Sequence, residues 1–116
     1  MSKDDCIFCK IARKEIPAKI VFEGRKLLAF EDVNPQAPTH ILIIPKDHIE
    51  RVSDLAEGDA RLIADLVLSA KSLAERKRIH LSGYRIVLNC GGDAGQEVFH
   101  LHLHLLGGRK FSWPPG

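Results

Sequence analysis

From His100 to Leu106 the chain reads His-Leu-His-Leu-His-Leu-Leu, and strict alternation of this kind has the period of a β-strand. Leu101, Leu103 and Leu105 then line one face and His100, His102 and His104 the other, with neighbouring imidazoles about 6.5–7 Å apart along the strand. The leucine face needs a core to cover it, so the run belongs inside a sheet. The histidine face is harder to place, because each ring brings two polar nitrogens that need partners. Half of the chain's six histidines stand in this one segment.

The rest of the sequence supplies the sheet. Lys19–Glu23 and Lys26–Glu31 read as strands around a turn at Gly24-Arg25. His40–Ile44 is a continuous apolar run closed by Pro45, the pattern of a buried central strand, and Asp32–Pro38 before it is a loop with two prolines. Tyr84–Asn89 reads as a further strand. A short helix is predicted over Ile7–Lys14. One long helix starts at a capping-box-like Asp54-Leu55-Ala56-Glu57 and runs to about Arg78. Its apolar face is Leu62, Ile63, Leu66, Val67, Ala70, Leu73 and Ala74. Strands joined by short turns plus one main helix predict an α+β fold with a mostly antiparallel sheet. With 116 residues and no repeat or linker, the chain reads as a single domain spanning 1–116, with a flexible polar start (1–5) and a C-terminal tail (109–116).

Composition excludes several classes. A net charge of +2 is too slight to argue for nucleic acid or a membrane surface. The polar, acidic start has no apolar run behind it, so it reads as neither signal peptide nor anchor. Three cysteines argue against a disulfide scaffold and fit a reducing cytoplasm.

Three same-face imidazoles admit three readings: a structural cluster, a metal site with an open position, or a nucleophilic site in which one neutral imidazole attacks phosphorus. The preceding loop tilts the balance toward phosphate, since Gly91, Gly92 and Gly95 permit turns that aim N–H groups at an anion, with the Gln96 amide beside them. Cys6-Ile7-Phe8-Cys9 has the spacing that pinches one zinc ion, although a tetrahedral site needs two further ligands; the rival reading is two reduced thiols on a short helix. A thioredoxin-like role is disfavoured because no βαβ context surrounds the pair. Cys90 reads as a buried strand-end thiol, and His80, past the helix end, as a surface residue.

The histidine run resembles the signature of the histidine-triad nucleotide-binding proteins. So do Ile11–Lys19, Pro35–His40, Ile44-Pro45-Lys46 and Trp113-Pro114-Pro115-Gly116, which with Gly107-Gly108-Arg109 favour the Hint branch over the Fhit branch. The resemblance implies hydrolysis of purine nucleoside 5′-phosphoramidates, with no cofactor in the chemical step. It makes His102 the nucleophile, His104 a donor to phosphate or leaving group, and His40 a support for the imidazole network. Asp32 would bind the ribose hydroxyls, while Asn89, Gly95, Glu97 and Val98 would line the phosphate. Glu97 stands where animal relatives carry serine, so its backbone N–H, rather than its carboxylate, is the expected contact. Several bacterial relatives bind structural zinc at positions that correspond here to Cys6, Cys9, His48 and His100. The resemblance also implies a two-fold homodimer with joined sheets, each tail carrying Trp113 to its partner's site. Two other functions stay open: cleavage of dinucleoside polyphosphates, and a nucleotide- or zinc-binding regulatory dimer with incidental hydrolysis.

Overall fold

The computed structural model describes residues 3–116. Its centre is β3 (Thr39–Pro45), the apolar run read as a central strand, buried from His40 to Pro45. Beside it lie β2 (Leu27–Glu31) and β5 (Leu103–Gly107), with β1 (Ile20–Glu23) and β4 (Tyr84–Val87) at the edges, in the order β1-β2-β3-β5-β4. Every pairing is antiparallel. The expected α+β class with an antiparallel sheet and one long helix is thus observed.

The sheet is covered on both faces, which is why β3 has no polar alternation. On one face α2 (Ala60–Arg76) lays Leu66, Ala70, Leu73 and Ala74 onto Ile41, Ile43, Leu101, Leu103 and Leu105. Fully burying a leucine or isoleucine contributes about 1.5–3 kcal/mol, so these leucines account for much of the sheet's attachment to α2. On the other face α1 (Ile7–Ala12) packs Phe8, Cys9 and Ile11 onto Leu28, Phe30, Leu42 and Ile44. The register places Leu42 opposite His104 and Ile43 opposite Leu103, so the histidines face α1 and the leucines face α2.

Element ends differ from the sequence reading. The long helix begins at Ala60 rather than Asp54, because 3-10 turns at Val52–Asp54 and Glu57–Asp59 precede it. The reciprocal start-of-helix bonds form two residues later than the Asp54/Glu57 pattern implied: the Ala56 N–H donates to Asp59 Oδ2 at 2.9 Å and the Asp59 N–H to the Ala56 carbonyl at 3.0 Å. Val67, counted on the apolar face, is 41% exposed. The short helix stops at Ala12, with Lys14 at positive φ, and β4 ends at Val87, leaving Asn89 outside it. The histidine run is strand only from Leu103, so His100-Leu101-His102 approaches the sheet without ladder bonds. Of the start expected to be flexible, Lys3–Asp5 forms a 3-10 turn, and residues 1 and 2 lie outside the described residues. Gly108 has φ +91, and a Cβ there would meet Pro38 at 2.9 Å, so glycine lets the chain turn off β5 against the loop that leads into β3 and His40. Among the described residues no helix is long and apolar enough to cross a membrane.

Candidate active site and metal cluster

The three histidines do not converge on one point. His100 is fully buried and turns to the cysteines, with Nδ1 3.2 Å from Cys6 Sγ and 3.5 Å from Cys9 Sγ. His102 and His104 line a cleft of about 530 Å³ between α1, the Asp32–Gln36 loop and the loop ahead of β5. A zinc ion held by all three triad imidazoles is therefore not what the fold builds.

Backbone groups fix the tautomers, because carbonyls can only accept and N–H groups only donate. His102 Nδ1 lies 2.7 Å from the His100 carbonyl, so it must carry the proton, leaving Nε2 with its lone pair on the cleft side. The Gln36 N–H donates to His40 Nδ1 at 3.0 Å. His40 Nε2–H then donates to His104 Nδ1 at 2.9 Å, with Asp32 Oδ2 also 3.4 Å from His40 Nε2. In neutral His104 the proton therefore sits on Nε2. The pairing across strands is geometric: His40 and Leu42 share a β3 face, and His104 lies opposite Leu42, so His40 reaches His104 diagonally. The arrangement presents a bare imidazole nitrogen and an imidazole N–H side by side, with ring centroids 4.9 Å apart.

Burial keeps these rings uncharged. Removal from water holds His104 at about 4, reinforced by His102 and His40, and lowers His40 and His102 despite the pull of Asp32. Each folded-state value lies below the ordinary 6.5. The unfolded chain therefore takes up protons first as pH falls. Stability from this term is fully present above pH 6.5 and is lost as pH falls toward about 4. Denaturant midpoints should decline across that window, and His104→Asn should flatten the decline. Equal slopes in both proteins would show that His104 is not the group responsible.

The cleft's other contributors divide sharply. Asp32 lines it, with Oδ1 accepting the Asn34 N–H at 2.8 Å. Gly95, Glu97 and Val98 line it as well. The backbone N–H groups of Glu97 and Val98 have no hydrogen-bond partner among the described residues, and so are available to an anion. Gln96 is not: its buried amide donates to the carbonyls of Glu50 and Val98, and its oxygen accepts the Gly91 N–H. The side chain read as an anion donor is a staple that shapes the loop. Asn89 and Trp113 are not brought to the cleft of this chain; Trp113 is 82% exposed. Cys90 is half-buried rather than buried, with Sγ 3.2 Å from Ser53 Oγ, a contact that lowers its pKa. His80 is exposed, as read.

Sequence reasoning missed the apolar wall of Ile7, Phe8, Ile11, Ile16, Phe30 and Leu42, a chemistry suited to the flat face of a base. It also missed the charge pattern: Glu31, Asp32 and Glu97 line the cleft, and among the described residues no lysine or arginine does, although Lys19 pairs with Glu31 at 3.1 Å.

Behind the cleft, one donor atom from each of Cys6, Cys9, His48 and His100 lies within 4.8 Å of the others. Cys9 Sγ is 3.3 Å from His48 Nδ1. Zinc–sulfur and zinc–nitrogen bonds of about 2.3 and 2.0–2.1 Å in a tetrahedron put sulfur and nitrogen about 3.5 Å apart, close to the observed 3.2–3.5 Å. His100 Nε2–H donates to the Pro45 carbonyl at 2.8 Å, which leaves Nδ1 bare toward the sulfurs and matches the usual outer partner of a ligating histidine. The Cys9 N–H donates to Cys6 Sγ at 3.3 Å, and His48 Nε2 is buried without a partner among the described residues. The donor set fits zinc.

The family model for the HIT domain matches residues 13–111. The chain is 48% identical over 112 residues to a 14 kDa zinc-binding protein of Zea mays, covering 95% of this chain and 87% of that protein. The crystal structure of a HIT family hydrolase from Legionella pneumophila superposes with a TM-score of 0.95 at 54% identity, covering 97% of this chain and 100% of that one. A histidine triad nucleotide-binding protein from Candida albicans superposes with a TM-score of 0.81 at 31% identity, covering 97% and 85%.

Proposed function

The chain belongs to the HIT domain family, and from that premise we propose that it hydrolyses purine nucleoside 5′-phosphoramidates through a nucleotidyl-histidine intermediate, in the manner of the Hint branch. The observation that carries this reading is the lone pair of His102 Nε2, bare because Nδ1–H is committed to the His100 carbonyl, on a cleft wall shared with two unengaged backbone N–H groups. Attack by Nε2 forms the imidazole–phosphorus bond as the phosphorus–amine bond breaks. His104 Nε2–H donates to the phosphate or departing group, with His40 behind it. Water then cleaves the imidazole–phosphorus bond, releasing the nucleotide and restoring the ring. The Glu97 and Val98 N–H groups stabilise charge at phosphorus, Asp32 accepts from the ribose hydroxyls, and the base lies on Phe8, Ile11 and Phe30. Zinc at Cys6, Cys9, His48 and His100 is structural, a role supported by its closed set of four protein ligands. Among the described residues none of the three cysteines is in a disulfide, in keeping with a reducing compartment such as the cytoplasm.

The charge pattern favours this substrate over the runner-up. A phosphoramidate monoester carries little negative charge, whereas a dinucleoside polyphosphate would bring several charges into a cleft lined by three carboxylates and, among the described residues, by no lysine or arginine, with Glu31 alone of the three paired to a lysine, Lys19 at 3.1 Å. Unfavourable like-charge contacts cost several kcal/mol, and every 1.36 kcal/mol is tenfold in rate. Adenosine 5′-phosphoramidate should therefore exceed diadenosine tetraphosphate in kcat/KM by about 100-fold or more. The reverse ranking would overturn the assignment, and nucleotide binding without turnover of either would favour a regulatory nucleotide-binding protein.

The working unit we propose is a two-fold dimer. β4 pairs on one side only, with β5, and its four residues are half-buried. Phe111 lies under the guanidinium groups of Arg85 and Arg109, and Arg85 Nη2 donates to the Ser112 carbonyl at 3.0 Å. The tail is thus anchored beside the β4 edge, with Trp113 projecting from it. In the same substrate panel, Trp113→Ala should remain dimeric by sedimentation and change leaving-group preference. A monomeric wild type would refute the arrangement.

A further inference from the structure

We infer that His100 is a positioning residue for His102: the ring that joins the cysteine cluster also sets, through its own backbone carbonyl, the tautomer and aim of the neighbouring imidazole. The inference rests on the zinc reading of that cluster and deepens the hydrolytic reading of the cleft.

Each hydrogen-bonding group of His100 beyond its own N–H is committed. Nδ1 faces the two sulfurs, Nε2–H donates to Pro45, and the carbonyl accepts His102 Nδ1–H at 2.7 Å. The peptide between His100 and Leu101 lies ahead of β5, so no ladder holds it. Its two ends are held differently. The carbonyl end follows the anchored His100 ring, and the Leu101 N–H donates to the Ile49 carbonyl at 2.6 Å. Ile49 directly follows His48, the other histidine of the cluster. Both supports of the plane that holds His102 therefore lead back to the same four side chains. Phe8, between the two cysteines, adds an edge-on contact to each ring, at 5.9 Å from His100 and 5.2 Å from His102.

If this plane turns, His102 Nδ1–H loses its acceptor and the ring can move its proton to Nε2. In that tautomer the nitrogen on the cleft side has no lone pair to attack with. Zinc here supplies no chemistry to the reaction. It cross-links α1, the His48 segment and His100, and the clamp keeps one nitrogen of the next histidine bare. Loss of an outer partner of this kind typically costs about 10- to 100-fold in activity.

The test follows the ring nitrogens of His102 by NMR in chain labelled with ¹⁵N-histidine, alongside zinc content, AMP affinity and turnover of adenosine 5′-phosphoramidate. The zinc-loaded protein should show His102 protonated at Nδ1 and bare at Nε2. Chelation, or His48→Ala, should average the two nitrogens and lower kcat by about 10- to 100-fold, while exposed His80 is unmoved. Exchanging zinc for the larger cadmium ion keeps the site filled if the stripped chain or the variant unfolds, and should still shift His102. The idea is overturned by a His102 spectrum indifferent to chelation in a folded, zinc-free chain. It is equally overturned by indifference to cadmium, or by a protein that binds no zinc. A loaded enzyme with the predicted His102 tautomer and no hydrolysis would instead sink the substrate assignment and leave the coupling standing.

Discussion

His102→Ala should abolish covalent nucleotidylation and lower turnover by at least about 10³-fold, the scale on which enzymes lose rate when their nucleophile is removed. Nucleotide affinity should change far less, because the proposed ribose contact at Asp32 and the apolar wall of Phe8, Ile11 and Phe30 remain in place. The asymmetry between the triad members is the reason to expect so large an effect from this one. His100 faces the cysteines with its free nitrogen, and His104 Nδ1 accepts from His40. Only His102 has a cleft-facing nitrogen with a free lone pair and its proton pinned on the far side. Its depressed pKa keeps the ring neutral at physiological pH, where the lone pair is available. The checks are mass spectrometry of enzyme trapped with substrate and steady-state kinetics. A purified variant that turns over normally would remove His102 from the chemistry.

Much of this site is readable from the chain, and the parts that are not share a cause. Alternation in His100–Leu106 correctly separates a leucine face from a histidine face, because side-chain direction along an extended chain is local. The same alternation treats the three imidazoles as equivalents. What distinguishes them is long-range: two sulfurs 94 and 91 residues away for His100, the His40 ring 64 residues away for His104. Gln96 shows the converse error. A polar side chain in a glycine-rich loop looks like a ligand donor, and only the fold reveals that Glu50, Val98 and Gly91 have already taken its groups. Phe8, Phe30 and Leu42 are invisible for another reason. An apolar residue facing a ligand and one facing the core have the same sequence signature, and these do both, lying in the α1-side core while lining the cleft. The late start of α2 is a capping competition. Asp54-x-x-Glu57 fits the helix-start pattern, but the bonds form between Ala56 and Asp59.

Protein prepared without chelator should contain about one zinc per chain, and Cys6→Ser should lower both zinc content and the thermal midpoint, by on the order of 10 °C. A bound structural metal contributes to folding because the unfolded chain cannot assemble its ligands. In zinc-finger peptides that contribution is about 10–16 kcal/mol and decides whether they fold at all. Here the consequence is milder, since the α2-side core holds the sheet without help from the cluster. The damage should concentrate where the cluster is the tie. α1 is only six residues long, and it holds Cys9 while Cys6 caps its start. Chelation should therefore expose the amides of α1 to hydrogen exchange before those of β3 and β5. The alternative is that direct thiol–imidazole hydrogen bonds, at the observed 3.2–3.5 Å, suffice to hold α1 without an ion. These two states respond oppositely to a chelator. A cluster held by hydrogen bonds alone would melt at the same temperature with or without it, and protein that purifies free of zinc and behaves so would reduce Cys6 and Cys9 to ordinary buried thiols.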